Sequence, residues 1–380
     1  IITFDKIAPD ALLTFTQFAP VPKSEFEGID PLQVQQAPFF QHPIGCGPFM
    51  VEEVNMKNYT ILAPFDKYYN GVADYKIQLL PSAGDSDPNV VTRAKSGNLD
   101  YGYTKMVADV QALEGTPGIT VTPIDVRYTR LFYLNKFDRK DGSPAPLADV
   151  RVRQALRYAI DMETICETLF QGSAVPANAL APDANLKGGD LNDYNYNPEK
   201  AKELLAEANW DPNTVIKAVY YYTDQATVDL MTAVQAYLAD VGIKMEFELV
   251  EGDLATILWA APADQTNGPR AVDWDICYAA NAALSLHEYY DRYRTGSPTN
   301  SHTPEDAELN RLIDATNASA DVNAQNEAFK ELIKYENENL FTMALYYQPI
   351  FLITSDKIGD IQKGTPQFCI NWDIQNWNVQ

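Results

Sequence analysis

Four groups of residues in this chain have the types and spacing to do chemistry. Gly45-Cys46-Gly47-Pro48 sets two glycines around a thiol just ahead of an apolar stretch. Asp273 and Asp275 flank Trp274. The histidines are His42, His287 and His302, and the cysteines are Cys46, Cys166, Cys277 and Cys369. Aromatic residues gather at Phe132-Tyr133, Tyr220-Tyr221-Tyr222, Tyr289-Tyr290 and Tyr346-Tyr347.

The glycine cluster fits no phosphate cradle. A P-loop needs Lys and Ser or Thr after its last glycine and a helix to follow, whereas Pro48, Phe49 and Met50 lead into strand-like text. A nucleophile elbow runs from strand through turn to helix, and Cys46 lacks that setting. The glycines are therefore expected to supply positive φ for a tight entry into a strand. The cysteines stand far apart with no C-x-x-C, and with three scattered histidines they make no zinc ligand set. Spacing does not choose among disulfide pairings, and buried free thiols are the plainer reading. No metal or cofactor is expected. On a strand, Asp273 and Asp275 would share one face with Trp274 opposite, the arrangement of a glycosidase pair. Among 52 acidic residues such spacing also arises without function. Tyrosine joins a flat apolar face to a polar tip, which suits a sheltered ligand site as well as sheet packing. His287 reads as a surface histidine or a ligand contact.

The elements that would position these groups alternate strand and helix. Phe49–Val51 and Tyr59–Leu62 read as strands joined by a polar hairpin loop, and Tyr75–Leu80 as a third. Residues 119–134 are rich in β-branched and aromatic residues. Val152, Ala155, Leu156 and Ala159 then fall at helical spacing behind Asp149 as N-cap. Asn197 and Pro198 start a helix whose buried stripe is Ala201, Leu204, Leu205 and Ala208. Strand 215–222, a helix carrying Met231, Val234, Leu238 and Val241, and the alternating strand 244–251 form a βαβ unit with a parallel pair. Residues 273–280 read as a strand, and two amphipathic helices precede a last strand region over 341–354.

At 380 residues, two lobes are the default, and 46% hydrophobic content supports filled cores. The net charge of −23 argues against nucleic acid and anionic lipid as partners. Arg151, Arg153 and Arg157 on one short helix read as a solvated face. No run of about 18 apolar residues is long enough to span a membrane.

Several stretches together resemble the family 5 extracellular solute-binding proteins, the oligopeptide- and dipeptide-binding components of ABC transporters. "PIGCGPFMVEEV" followed by "YYNG" is similar to the family's "GTGPY … NPDYWGG", and "AKSGNLDYGY" to "L.SGEID". "LADVRVRQALRYAIDMETICETLFQGSAVPANALAP" follows its most recognisable segment, and "YNPEKAKELLAEANW" its "ydpekAk.LL.eaG". The resemblance covers nearly the whole chain.

It implies an α/β fold: a two-lobed, periplasmic-binding-protein-like clamshell of type II, similar to cluster C. Residues 1–132 and 347–380 would form lobe I and residues 133–346 lobe II, with crossovers near Leu131–Asn135 and Leu345–Gln348. Family members carry a long stretch before the point where this chain begins, so the resemblance implies an N-terminally truncated chain, with the signal or lipoprotein anchor in the missing part. It implies a non-catalytic monomer at the extracellular face or in the periplasm. Such a receptor captures a small solute between its lobes and passes it to a membrane permease. The ligand contacts implied are Tyr128, Phe132, Tyr133, Asn135, Tyr278, Ala280, Asn281, His287, Tyr346 and Tyr347. Peptide binders place an Asp in the loop after the 273–280 strand to hold a free amine, and here Ala279–Leu284 carries no acid. An unpaired buried ammonium is costly, so a blocked, modified or non-peptide solute is favoured. The competing expectation is a secreted hydrolase using Asp273 and Asp275.

Overall fold

A computed structural model describes the chain apart from residues 1, 18, 31–33, 35, 56, 82–86, 125–127, 183–185, 189, 282–284, 360 and 362–372. In chain order the strands are β1 (Phe49–Asn55), β2 (Tyr59–Pro64), β3 (Ile77–Leu79), β4 (Tyr101–Thr104), β5 (Ile119–Ile124), β6 (Thr129–Leu134) and β7 (Val175–Pro176). They continue with β8 (Val215–Tyr220), β9 (Lys244–Leu249), β10 (Ile276–Asn281), β11 (Thr342–Tyr347), β12 (Ile350–Ser355), β13 (Ile358–Gly359) and β14 (Asn378–Val379). The chain divides into two compact units, Ile1–Ala11 with Val126–Pro349, and Leu12–Asp125 with Ile350–Gln380.

The larger unit is built on one sheet of order β7-β11-β6-β10-β8-β9. β6 runs antiparallel to both β10 and β11, while β8 lies parallel to β10 and β9. The parallel β8–β9 pair flanks helix Gln225–Asp240, as the alternating sequence pattern predicts. Every residue of β6 is buried, because both sheet faces are covered. On one face Phe132 and Leu134 pack with Leu156, Leu204, Leu230, Val234 and Leu238 from the helices of residues 150–240. On the other, Leu131 and Tyr133 pack with Leu258, Leu312, Leu332 and Ile333 from helices within 254–339. Each of these side chains contributes about 1.5–3 kcal/mol by leaving water.

Local sequence sets the helix starts. The Asp149 carboxylate accepts from Arg151 N at 2.8 Å, and the Asn197 side chain accepts from Lys200 N at 2.9 Å with Pro198 in the first turn. Arg153 and Arg157 do not form the expected solvated face: both are buried. The Arg153 guanidinium donates to Asn339 O, Leu147 O and Ala148 O, and Arg157 donates to Ala177 O and Tyr194 O. Carbonyls that have lost water accept these donors, which is why two cations are held inside.

The smaller unit holds the antiparallel sheet β1-β2-β3, the sheet β4-β12-β5 and the short pair β13-β14. Its helix Val90–Lys95 ends before Gly97, which has φ +73°. The opening glycines differ from expectation. Gly45 and Gly47 precede β1, but neither has positive φ, and a Cβ at either would meet no side chain. They form an open bend. In this division β6 and β11 lie wholly within the larger unit.

Candidate functional site

The site assembles around β6. Its register places Arg130 opposite Ala280 of β10 and Tyr346 of β11, where an irregularity between Ala344 and Tyr346 shifts the pairing. Arg130, only 6% exposed, shares its face of the strand with Phe132. Its guanidinium carbon lies 4.4 Å from the Tyr222 ring centre, 5.0 Å from that of Tyr128 and 5.8 Å from that of Tyr278. The hydroxyls of Tyr278 and Tyr346 are 2.6 Å apart, and those of Tyr221 and Tyr222 3.0 Å apart. Burial pushes the Tyr222, Tyr278 and Tyr346 phenols above their ordinary value, so they stay neutral O–H groups at neutral pH. Among the described residues no carboxylate lies within ion-pair distance of Arg130, and its Nε and Nη1 donate to no protein acceptor.

The other face is closed. Tyr133 donates to Asn281 Oδ1 at 2.8 Å and packs against Trp259 and His302, while Arg292 reaches its hydroxyl at 3.4 Å. Burial pushes the Tyr133 phenol up, and the Arg292 charge partly offsets it.

The expected contacts therefore separate into groups. Tyr128, Tyr278 and Tyr346 converge on Arg130, and the half-buried Ala280 faces it in register. Phe132 lies beneath them in the core, its ring 5.9 Å from that of Tyr278. Tyr133 and Asn281 meet on the opposite face. Asn135 is fully buried and engaged with Ser301 O and Phe137 N. The Tyr347 hydroxyl donates to Ala179 O at 2.6 Å, and Lys187 sits over its ring. His287 is neither a surface residue nor part of this cluster: Nδ1 pairs with Asp10 at 2.9 Å and Nε2 lies 3.0 Å from Thr316 O. Ala282, Ala283 and Leu284 of the expected amine-binding loop, and Cys369, lie outside the described residues. Cys46, Cys166 and Cys277 are free; the last two are buried, whereas Cys46 is exposed. Among the described residues no cluster could hold a metal ion.

Arg130 and Tyr222 were not among the expected contacts. The signal was present in "YTRLFYL", a single cation inside an otherwise apolar strand, whose alternation sets it beside Phe132 and Leu134.

The carboxylate pair does not form. Asp273 is exposed and loosely paired with Lys217 at 3.6 Å, while Asp275 is fully buried. Asp275 Oδ1 accepts from Arg270 at 2.8 Å and from Arg139 at 3.2 Å; Oδ2 accepts from Arg139 at 2.5 Å and from Lys217 N at 2.8 Å. The strand begins only at Ile276, so the alternation assumed for 273–275 does not apply. Neither oxygen of Asp275 is left to serve a substrate.

The family model "Bacterial extracellular solute-binding proteins, family 5 Middle" matches residues 1–303. The chain belongs to this family. Relatives of the family 5 protein include a Brucella ovis protein named for ABC transporter peptide binding, 28% identical over 251 residues, covering 64% of this chain and 46% of the relative. The oligopeptide-binding protein AppA of Bacillus subtilis is 27% identical over 274 residues, covering 66% of this chain and 46% of that protein. The chain thus spans about half the length of these relatives. Among solved structures, a peptide-binding protein AppA from Clostridium difficile superposes with a TM-score of 0.82 at 18% identity, covering 100% of this chain and 76% of that one. The substrate-binding protein CtaP of Listeria monocytogenes gives 0.80 at 18% identity, covering 99% and 75%. The α/β fold expected from the sequence is the fold of these two-lobed substrate-binding proteins. Among the described residues no helix is long and apolar enough to cross a membrane.

Proposed function

We propose that this family 5 chain is the solute-capturing part of an ABC importer. It binds a peptide or another small organic solute without turnover and hands it to a membrane permease. The observation that carries this reading is the family match over residues 1–303. The names of relatives agree with it: the B. subtilis AppA structure holds a nonapeptide, and NikZ of Campylobacter jejuni holds nickel with histidine. We place the protein at the extracellular face of the membrane or in the periplasm, held there by a lipoprotein anchor or delivered by a signal, and acting as a monomer. The β6 face bearing Tyr128, Tyr278 and Tyr346 is assigned to solute contact, with Ala280 at its edge. Hydrogen bonding of an extended ligand to strand backbone would leave solute side chains lightly read.

The test is a calorimetric and thermal-shift screen of the full-length protein against di- to nonapeptides, sugars and nickel–histidine chelates, with mass spectrometry of the incubated solutes. Saturable binding with the solute recovered intact is expected. No shift with any solute class, or the appearance of cleavage products, would overturn the reading.

A further inference from the structure

Among the described residues Arg130 has no counter-ion, in a chain of net charge −23. The side chain is more than nine-tenths buried. Other buried arginines have acceptors: the Nη1 of Arg270 has Asp275 and Trp274 O, although its Nε and Nη2 have none, and Arg153 and Arg157 have backbone carbonyls. Arg130 has aromatic rings where those have acceptors. The stacked rings favour the charge through their π-faces but accept none of its in-plane N–H groups. A guanidinium covered on its faces keeps its edge, and that edge is a planar fork matched to a carboxylate. Tyr278 and Tyr346 share one hydrogen bond at 2.6 Å, leaving one of their two protons for an outside acceptor.

We infer that the edge of Arg130, framed by Tyr128, Tyr222, Tyr278 and Tyr346, receives a carboxylate of the captured solute, so that the protein selects the acid over its neutral amide. This rests on the solute-capture reading above and names the ligand chemistry of that site. The carboxylate can come from a peptide C-terminus or from an organic acid, and the two sources are separated below.

The test uses the full-length protein and its R130M and R130K variants in thermal-shift and calorimetric titrations at constant ionic strength. The probes are sodium acetate and succinate against chloride, succinamide, and tripeptides as free acids against C-terminal amides. The expected result is that carboxylates raise the melting temperature of the wild type beyond chloride. The acid should bind about 10- to 100-fold more tightly than its amide, the size of a charge-assisted hydrogen-bonded pair. R130M should abolish the difference, and R130K, lacking the fork, should recover only part of it. Preference for the tripeptide acid identifies a peptide terminus; preference for succinate identifies an organic acid. Equal responses to carboxylate, amide and chloride overturn the proposal. So does an R130M protein that keeps the acid preference, or one that unfolds at markedly lower urea, since Arg130 would then be scaffold. If peptides or sugars bind but R130M changes nothing, the carboxylate site falls and the transport reading stands. If carboxylates bind through Arg130 while no peptide, sugar or chelate does, the site stands and the broader reading falls.

Discussion

Arg270 donates to Asp275 at 2.8 Å with both side chains wholly inside the larger unit. Arg139 closes on the same carboxylate, and Lys217 N takes a further position. Removing the anion would strand two guanidiniums, one of them fully buried. Breaking a buried pair from one side costs about 3–5 kcal/mol. Urea unfolding of D275N should show a loss of that order, and D273N, at the exposed neighbour, should stay within about 0.5 kcal/mol of the parent. Equal effects would refute the division between a structural Asp275 and an idle Asp273.

Arg153 ties helix Val150–Ala159 to Asn339, the last residue of helix Val322–Asn339, with Nε at 2.9 Å and Nη2 at 2.7 Å from its carbonyl. A cation at a helix C-terminus meets the negative end of the dipole. R153M keeps the stem but leaves buried carbonyls unpaired, at about 1–3 kcal/mol for each group fully desolvated. Chemical denaturation should show R153M destabilised by about 2–4 kcal/mol, with R153K recovering less than half.

These arginines also mark how far the sequence can be read. The Asp149 and Asn197 caps were legible because a cap and its partner N–H lie within three residues. The parallel β8–β9 pair was legible because its connection forces it. Burial of Arg153 depends on a carbonyl 186 residues away, which no local pattern encodes. Helical spacing alone makes three arginines look like a wet face. The candidate site divides in the same way. Its tyrosines were legible by type, but their convergence on Arg130 needs the β6–β10 and β6–β11 registers, and the shift at Ala344/Tyr346 sets the second.

Asn209 follows helix Pro198–Glu207 with φ +54°, at the position where the family motif has glycine. Asn tolerates the left-handed region better than other side chains with a Cβ. N209A should lose about 1 kcal/mol and N209G should lie within about 0.5 kcal/mol of the parent, measured by thermal unfolding. An N209A protein as stable as the parent would show that the turn relaxes out of this conformation.

Glu336 is buried beside Thr342, whose Oγ1 donates to it at 2.8 Å. Burial pushes its carboxyl up to about 7, against the Thr342 hydrogen bonds and the Lys136 charge, which pull it down. The folded value lies above the unfolded one, so the stability it contributes is complete below about pH 4.5 and is lost as pH rises through about 7. A change of that size corresponds to about 3 kcal/mol. Unfolding free energies from urea titrations at pH 5 and pH 8 should differ by roughly this amount in the parent and far less in E336Q, which stays neutral throughout. An E336Q protein with the parent's slope would assign the pH dependence elsewhere.

His287 has acceptors at both ring nitrogens, Asp10 at Nδ1 and the Thr316 carbonyl at Nε2. A neutral imidazole can donate to only one of them, so this geometry favours the imidazolium. Burial opposes that charge, but the Asp10 and Thr316 hydrogen bonds overcome it and raise the ring above its usual value. For Asp10, burial is likewise overcome by the bonds from His287 and Ser285, which lower it. The histidine's contribution is complete below about pH 6.5 and disappears as pH rises through its raised folded value; that of Asp10 is present above about pH 4 and disappears on acidification. The pair therefore holds Asp10 to helix Leu286–Asp291 most firmly between these limits and loosens it on the alkaline side. In an NMR titration the His287 ring should titrate above 6.5 and fall toward or below that value in D10N. His302, fully buried beside Lys136 and Arg292, should remain neutral in the same spectra. A His287 midpoint that ignores D10N would break the link between the two residues.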